Sequence, residues 1–165
     1  MSPRVIEVDA VLESLGTNPG RIDALMAPIP DDRRRARPRP DAWSAHEIFA
    51  HVRACADVWG GHITTILADA PERLPAGDPR AWAVDHGYLD AGFGGSFAAY
   101  ADQRASLFEQ LRGLSAVDWA RSAVIVGASS RAERSVHWHA AHIVRHEDQH
   151  VTEIRRALKT VTSRS

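Results

Sequence analysis

The stretch from Trp43 to Ala68 constrains the fold more than any other part of the chain. Ser44-Ala45-His46-Glu47 has the form of a capping box. The Ser44 hydroxyl can accept from the Glu47 amide while the Glu47 carboxylate reaches back to the Ser44 amide. Beyond it, Ile48, Val52, Cys55, Trp59, Ile63 and Ile66 recur at helical spacing. That pattern predicts a long amphipathic helix to about Ala68, with one apolar stripe that other elements must cover.

Helical signals dominate elsewhere too. The first segment, Ile6 to Ala27, carries Val8, Val11, Leu12, Leu15, Ile22, Leu25 and Met26, interrupted by Gly16-Thr17-Asn18-Pro19-Gly20. Asn18 as a cap with Pro19 at a first helical position predicts one kinked helix or two short ones. Pro28 to Pro40 reads as a solvated linker carrying Arg33-Arg34-Arg35. Asp69 to about Gly92 reads as a long loop, which suits a crossover returning along a bundle. A third helix is expected from about Phe93 to Leu114. Val124-Ile125-Val126 reads as a lone extended piece without an evident partner strand, and a last helix begins near Ser130 or Ser135 and runs to about Thr160. Four helical segments in 165 residues predict one all-α domain, residues 1–165, built as a four-helix bundle.

Composition narrows the function. A formal charge of −1 lacks the basic footprint of a nucleic-acid binder. No apolar run approaches the roughly 18 residues of a membrane span. The single cysteine, Cys55, makes no internal disulfide. The opening residues Met1-Ser2-Pro3-Arg4-Val5-Ile6-Glu7 lack the basic-then-apolar order of a signal peptide, so the expected address is the cytoplasm. Nineteen of the 20 basic residues are arginine, which reads as coding background. The nine histidines are a different matter, because their positions are ordered.

On the last helix, with His146 at zero and about 100° per residue, His150 falls near +40°, His142 near −40°, His139 near +20° and Glu153 near −20°. Four histidines and a carboxylate therefore share an arc of about 80° beside the apolar stripe. On the second helix, with His51 at zero, Cys55 falls near +40° and His62 near +20°. His146 and His150 have the i, i+4 spacing at which two imidazoles can converge on one ion. His51 is the best-placed third donor. Three neutral imidazoles with positions left open make a catalytic type of metal site. His142, His62 and His139 are candidates for the cavity wall or the surroundings of the site. Cys55 reads first as a small buried hydrophobe beside it. His46 and His137 lie off these faces and read as solvated or hydrogen-bonded.

Trp43-Ser44-Ala45-His46-Glu47-Ile48-Phe49-Ala50-His51-Val52 resembles the opening of the second helix in DinB-like (DinB/YfiT-like) proteins. His146-Glu147-Asp148-Gln149-His150-Val151-Thr152-Glu153-Ile154 is similar to that family's last-helix pattern, although Glu153 stands where the family often has Gln. The two motifs occur in order, and with the linker before Trp43 and the Asp118-Trp119 pair the resemblance covers most of the chain. It implies an up-down-down-up bundle with a long crossover between helices two and three, in which helices two and four run antiparallel. That places His51, early in one, level with His150, late in the other. It implies His51, His146 and His150 as ligands of a divalent ion: zinc, nickel, manganese or iron. It also implies metal-activated chemistry of a low-molecular-weight thiol, as S-transfer to an electrophile or thiol-assisted isomerisation.

The leading expectation is thus a metal-dependent transferase, isomerase or hydrolase acting on a small molecule, with His142 or Glu147 as the nearest proton acceptor. The competing expectation is a stress-associated metal- or ligand-binding bundle without turnover. An exposed helix face would support a homodimer; nucleic acid and membrane are not expected partners.

Overall fold

The computed structural model describes residues 6–164. Of the N-terminal run on which the address was read, Met1 to Glu7, the first five residues lie outside the described residues. Four long helices form the body: α1 (Val8–Met26), α3 (Ala45–Asp69), α5 (Phe93–Arg112) and α7 (Val136–Thr162). Between them lie α2 (Asp31–Arg35), β1 (Arg73–Pro75), α4 (Pro79–Asp85), α6 (Ala116–Ala120), β2 (Ser122–Val126) and β3 (Arg131–Ser135).

Cross-helix hydrogen bonds fix the directions. His51 meets His146 and His62 meets His139, so α3 and α7 are antiparallel. Arg53 reaches Ser96, Gln103 reaches the Ala56 carbonyl and Thr64 meets Gln110, so α3 and α5 run the same way. His137 meets the Ile6 carbonyl and Arg21 pairs with Asp148, so α1 and α7 run the same way. The four long helices therefore run up, down, down and up. The core lies among them: Leu15, Ile63, Ile66, Leu111 and Ile143 at one end, and Ile22, Met26, Phe49, Tyr100 and Ile154 at the other.

The chain is not purely helical, which corrects the all-α expectation. Val124-Ile125-Val126 does have partners: β2 pairs in parallel with β1 (Leu74 opposite Ile125) and antiparallel with β3 (Ile125 opposite Ala132). Neither partner announces itself. Arg73-Leu74-Pro75 ends on a proline, and Arg131-Ala132-Glu133-Arg134-Ser135 is mostly polar, with Arg131 and Glu133 exposed and the others half-buried. Their pairing depends on the bundle bringing the crossover beside the segment before α7.

The first helix departs from expectation as well. Residues Val8–Met26 form one helix through Pro19. Proline removes one helical hydrogen bond and crowds the carbonyl four residues back. Asn18 does not cap a restart: its side chain is buried and donates to the Glu147 Oε2 at 3.0 Å, and Arg21 bonds it in turn at 2.9 Å. This tertiary anchor holds the helix across the break. The Pro28–Pro40 linker also contains one short helix, α2, with Arg35 bonding the Leu89 and Ala91 carbonyls of the crossover.

The second long helix starts as expected. Ser44 Oγ accepts from the Glu47 amide at 3.1 Å, and the Glu47 carboxylate accepts from the Ser44 amide at 2.8 Å. The expected crossover loop, 69–92, holds β1 and α4. Gly77, at φ +71°, lets it descend onto α3, where a Cβ would come within 2.8 Å of Val58 Cγ1. Asp78 then caps α4 through the Arg80 amide at 2.9 Å. The crossover is thereby laid over the face of α3 that carries His51.

Candidate metal centre

His51, one turn and a half into α3, and His146 and His150, a turn apart on α7, bring three imidazole edges together. His51 Nε2 lies 3.3 Å from His146 Nε2, which lies 2.9 Å from His150 Nε2. Two nitrogens each about 2.0–2.1 Å from one ion sit about 2.9 Å apart at a right angle and about 3.4 Å apart at the tetrahedral angle. The two observed spacings fall in that range, and both are contacts of His146 Nε2.

The protons are placed accordingly. Glu153 Oε2 lies 2.6 Å from His150 Nδ1. A carboxylate so close holds a proton on Nδ1 and turns the Nε2 edge of His150 toward His146. Burial pushes the His51 pKa down to about 4 and that of His146 down to about 3, with the neighbouring His150 adding to both. Both rings are therefore neutral at pH 7. The buried Nδ1 of His146 has no hydrogen-bond partner. Neutral His51 and His146 in contact through Nε2, with His150 beside His146 and oriented from behind by a carboxylate, fit a divalent ion.

Cys55, one turn beyond His51, joins this cluster. Its Sγ lies 3.5 Å from His51 Nε2 and 4.0 Å from His146 Nε2. His51, Cys55 and His146 thus offer three ligand atoms all within 4.8 Å of one another. Burial pushes the Cys55 thiol far up, so without an ion it stays protonated.

The remaining candidates separate. His142 stacks on Trp138 at 4.7 Å and meets the edge of Trp59, which in turn packs on His146 at 4.7 Å. It borders the cluster, kept neutral by burial first and then by Arg145 and Arg134. His62 and His139 pair at 3.2 Å and bond the Pro75 and Ser135 carbonyls, tying α3 and α7 to the sheet end. His139 is about 10 Å along α7 from His146, so this pair is a separate structural contact. His46 and His137 bond the Leu89 and Ile6 carbonyls, each at 2.8 Å.

Glu147 corrects the sequence reading most sharply. It does not face the histidines. It is 1% exposed in the core, where Arg104 clasps its Oε1 through Nε at 2.7 Å and through Nη2. Tyr100 donates to the same oxygen at 3.1 Å and Asn18 to the other at 3.0 Å. A residue about 100° from His146 on the helix points into the bundle, toward α1 and α5. Arg104 and Tyr100 lie on α5 and Asn18 on α1, so no spacing along α7 points to them as partners of Glu147. Glu153 shared the histidine arc, and its closeness to His150 was the signal available.

Two clefts reach the cluster's neighbourhood. One, of about 180 Å³, is lined by His51, Trp43, Arg80, Ala83, Val84 and Leu89, with Glu47 at its edge. The other, of about 600 Å³, includes Trp43, Glu153, Arg39 and Arg156. Trp43 stands between them, its ring 5.4 Å from that of His51.

A four-helix bundle with imidazoles clustered between α3 and α7 is of a class that could hold a divalent cation between its helices. The chain belongs to the DinB superfamily, whose family model matches residues 14–154. Among solved structures it is similar to YfiT from Bacillus subtilis, described as a probable metal-dependent hydrolase with an unusual four-helix bundle topology. The TM-score is 0.75 at 16% identity, over 94% of this chain and 92% of that one. No curated protein matches significantly by sequence. No helix among the described residues is long and apolar enough to cross a membrane.

Proposed function

We propose that this chain is a metal-dependent enzyme, holding a divalent ion through His51, His146 and His150 and transferring a low-molecular-weight thiol to a small electrophile or isomerising one with its aid. The observation that carries this reading is that His146 Nε2 contacts the Nε2 atoms of both His51 and His150, with Glu153 behind His150. When bound, the ion supplies Lewis acidity, favouring the deprotonated form of a thiol, or of water in a hydrolase such as YfiT is described to be. The protein supplies the rest. Glu153 fixes the His150 tautomer, and Trp59 covers His146 and His142 against water. His142, neutral and bordering the cluster, is the proton acceptor in place of Glu147. Two clefts meeting at Trp43 support two reactants: the larger has room for the thiol and the smaller for the electrophile. The reading takes small molecules as partners and a cytoplasmic setting, and with a charge of −1 no nucleic acid.

One observation favours a second reading. Cys55 within the cluster would close the coordination set with a fourth protein ligand, as in a binder without turnover. Elemental analysis and cobalt substitution decide. Untagged protein is expected to carry metal that His51→Ala, His146→Ala and His150→Ala each largely remove and His137→Ala does not. The cobalt form is expected to show a sulfur charge-transfer band only when a small thiol is added, and His150→Ala to abolish it. A band present without added thiol and lost in Cys55→Ser establishes the closed site. Cobalt bound with no response to any thiol overturns thiol chemistry, and metal content indifferent to all three histidines overturns the site.

A further inference from the structure

The smaller cleft has an asymmetry of charge that the metal centre does not explain. Arg80, at the second position of α4, places its guanidinium 5.1 Å from the centre of the Trp43 ring. No carboxylate among the described residues forms an ion pair with it. The two acids nearby are committed. Glu47 is held by Arg37 and by the Ser44 amide, and Asp78 caps α4 through the Arg80 and Ala81 amides. Arg80 also makes its charge felt at His51, where it lowers the pKa after burial and His150. A guanidinium lying over an aromatic face keeps its five N–H donors in its own plane, free for a bidentate acceptor. Apart from Arg80, Glu47 and His51 the lining is apolar: Ala83, Val84, Leu89 and the Trp43 ring. At about 180 Å³ the cleft is smaller than the roughly 300–1,000 Å³ of pockets for drug-sized ligands.

We propose that this cleft selects a small carboxylate: its anionic end pairs with Arg80, and its short apolar body lies along Trp43, Ala83, Val84 and Leu89 with its far end toward His51. The assignment rests on the metal-dependent reading for its catalytic meaning, but carboxylate capture by Arg80 does not require the ion. With Glu47 held by Arg37 and the Ser44 amide, Arg80 is the cleft's cation without an ion pair, so an amide is disfavoured because it leaves the guanidinium without a charged partner.

Butyrate and its isosteric amide, butyramide, separate the two. Titrations followed by calorimetry and by the side-chain NMR signals of Arg80 and Trp43 are made on metal-free and zinc-loaded protein, with zinc content measured in each sample. Metal-free wild type is expected to bind butyrate at least about tenfold more tightly than butyramide, a charge-assisted pair being worth that much. Both reporter signals should shift. Arg80→Gln is expected to erase the preference and Arg80→Lys to restore part of it. Methylphosphonate shifting the same signals more strongly than butyrate would overturn the carboxylate in favour of a phosphorus oxyanion. Equal binding of butyrate and butyramide, or a preference surviving in Arg80→Gln, overturns the proposal. So does a preference seen only with zinc, since the ion itself then takes the carboxylate. Absence of zinc binding with the preference intact overturns the metal centre and leaves the cleft's selectivity standing.

Discussion

Glu147 offers the sharpest test, because sequence and structure give it different work. If it served the metal centre, Glu147→Gln would lower activity or metal content and leave the fold alone. The structure instead makes it the hub of a buried network joining α1, α5 and α7. Arg104 and Glu147 are each 1% exposed. Burial, the largest single influence, would lower the Arg104 pKa, yet the charge and hydrogen bonds of Glu147 and Tyr100 together raise it. Removing one member of such a pair leaves the other charge buried and uncompensated, at a cost of about 3–5 kcal/mol. Against a total stability of about 5–15 kcal/mol for a domain, that is a large fraction. Glu147→Gln keeps the volume but only one of the two acceptor oxygens that Tyr100 and Asn18 use, so the loss reports the charge and one hydrogen bond and not a cavity. Arg104→Met should cost a similar amount. The double variant should cost less than the sum by about 2 kcal/mol or more, because neither charge is then left alone. Urea unfolding of the metal-free protein measures all four corners of this cycle, and zinc titration of the same samples measures the site. Glu147→Gln as stable as wild type, with zinc binding or turnover lost, would refute the reasoning and return the carboxylate to the active site.

Three further outcomes follow from the geometry. Glu153→Gln keeps the shape but weakens the acceptor behind His150 Nδ1, and should reduce zinc affinity about 10- to 100-fold with little change in unfolding; competition with a chelator of known affinity reads this directly, and an unchanged affinity would remove Glu153 from the site. Ser44→Ala removes one half of the capping box and should cost about 1 kcal/mol, seen as a lower thermal midpoint of the metal-free protein. Burial pushes the His139 pKa down to about 4 from an ordinary value of 6.5, so below about pH 6.5 the unfolded chain takes up a proton that the fold refuses. The stability His139 contributes above that pH is therefore lost as pH falls from 6.5 toward about 4, by up to about 3 kcal/mol, and His139→Phe should flatten the acid limb of a stability–pH curve.

The local features were legible because they are written at helical spacing. Ser44 and Glu47 are three residues apart and cap one helix end, and the structure forms both bonds. His146 and His150 are one turn apart and meet at their Nε2 atoms, whatever surrounds them. The four long helices follow from apolar periodicity. What the tertiary structure decided depends on groups distant in the chain. The pairing of β1 with β2 and β3 joins three segments of weak strand character that only the bundle brings side by side. Pro19 and Asn18 argued for a break in α1, but a carboxylate 129 residues later anchors Asn18 and the helix continues. Glu147 sits next to His146 in sequence and yet serves a different neighbourhood, because a step of about 100° around α7 turns a side chain from α3 toward α1 and α5. Spacing along one helix determines which residues share a face; which partner that face meets, and so whether a carboxylate orients a ligand or neutralises a buried arginine, is decided only when the helices pack.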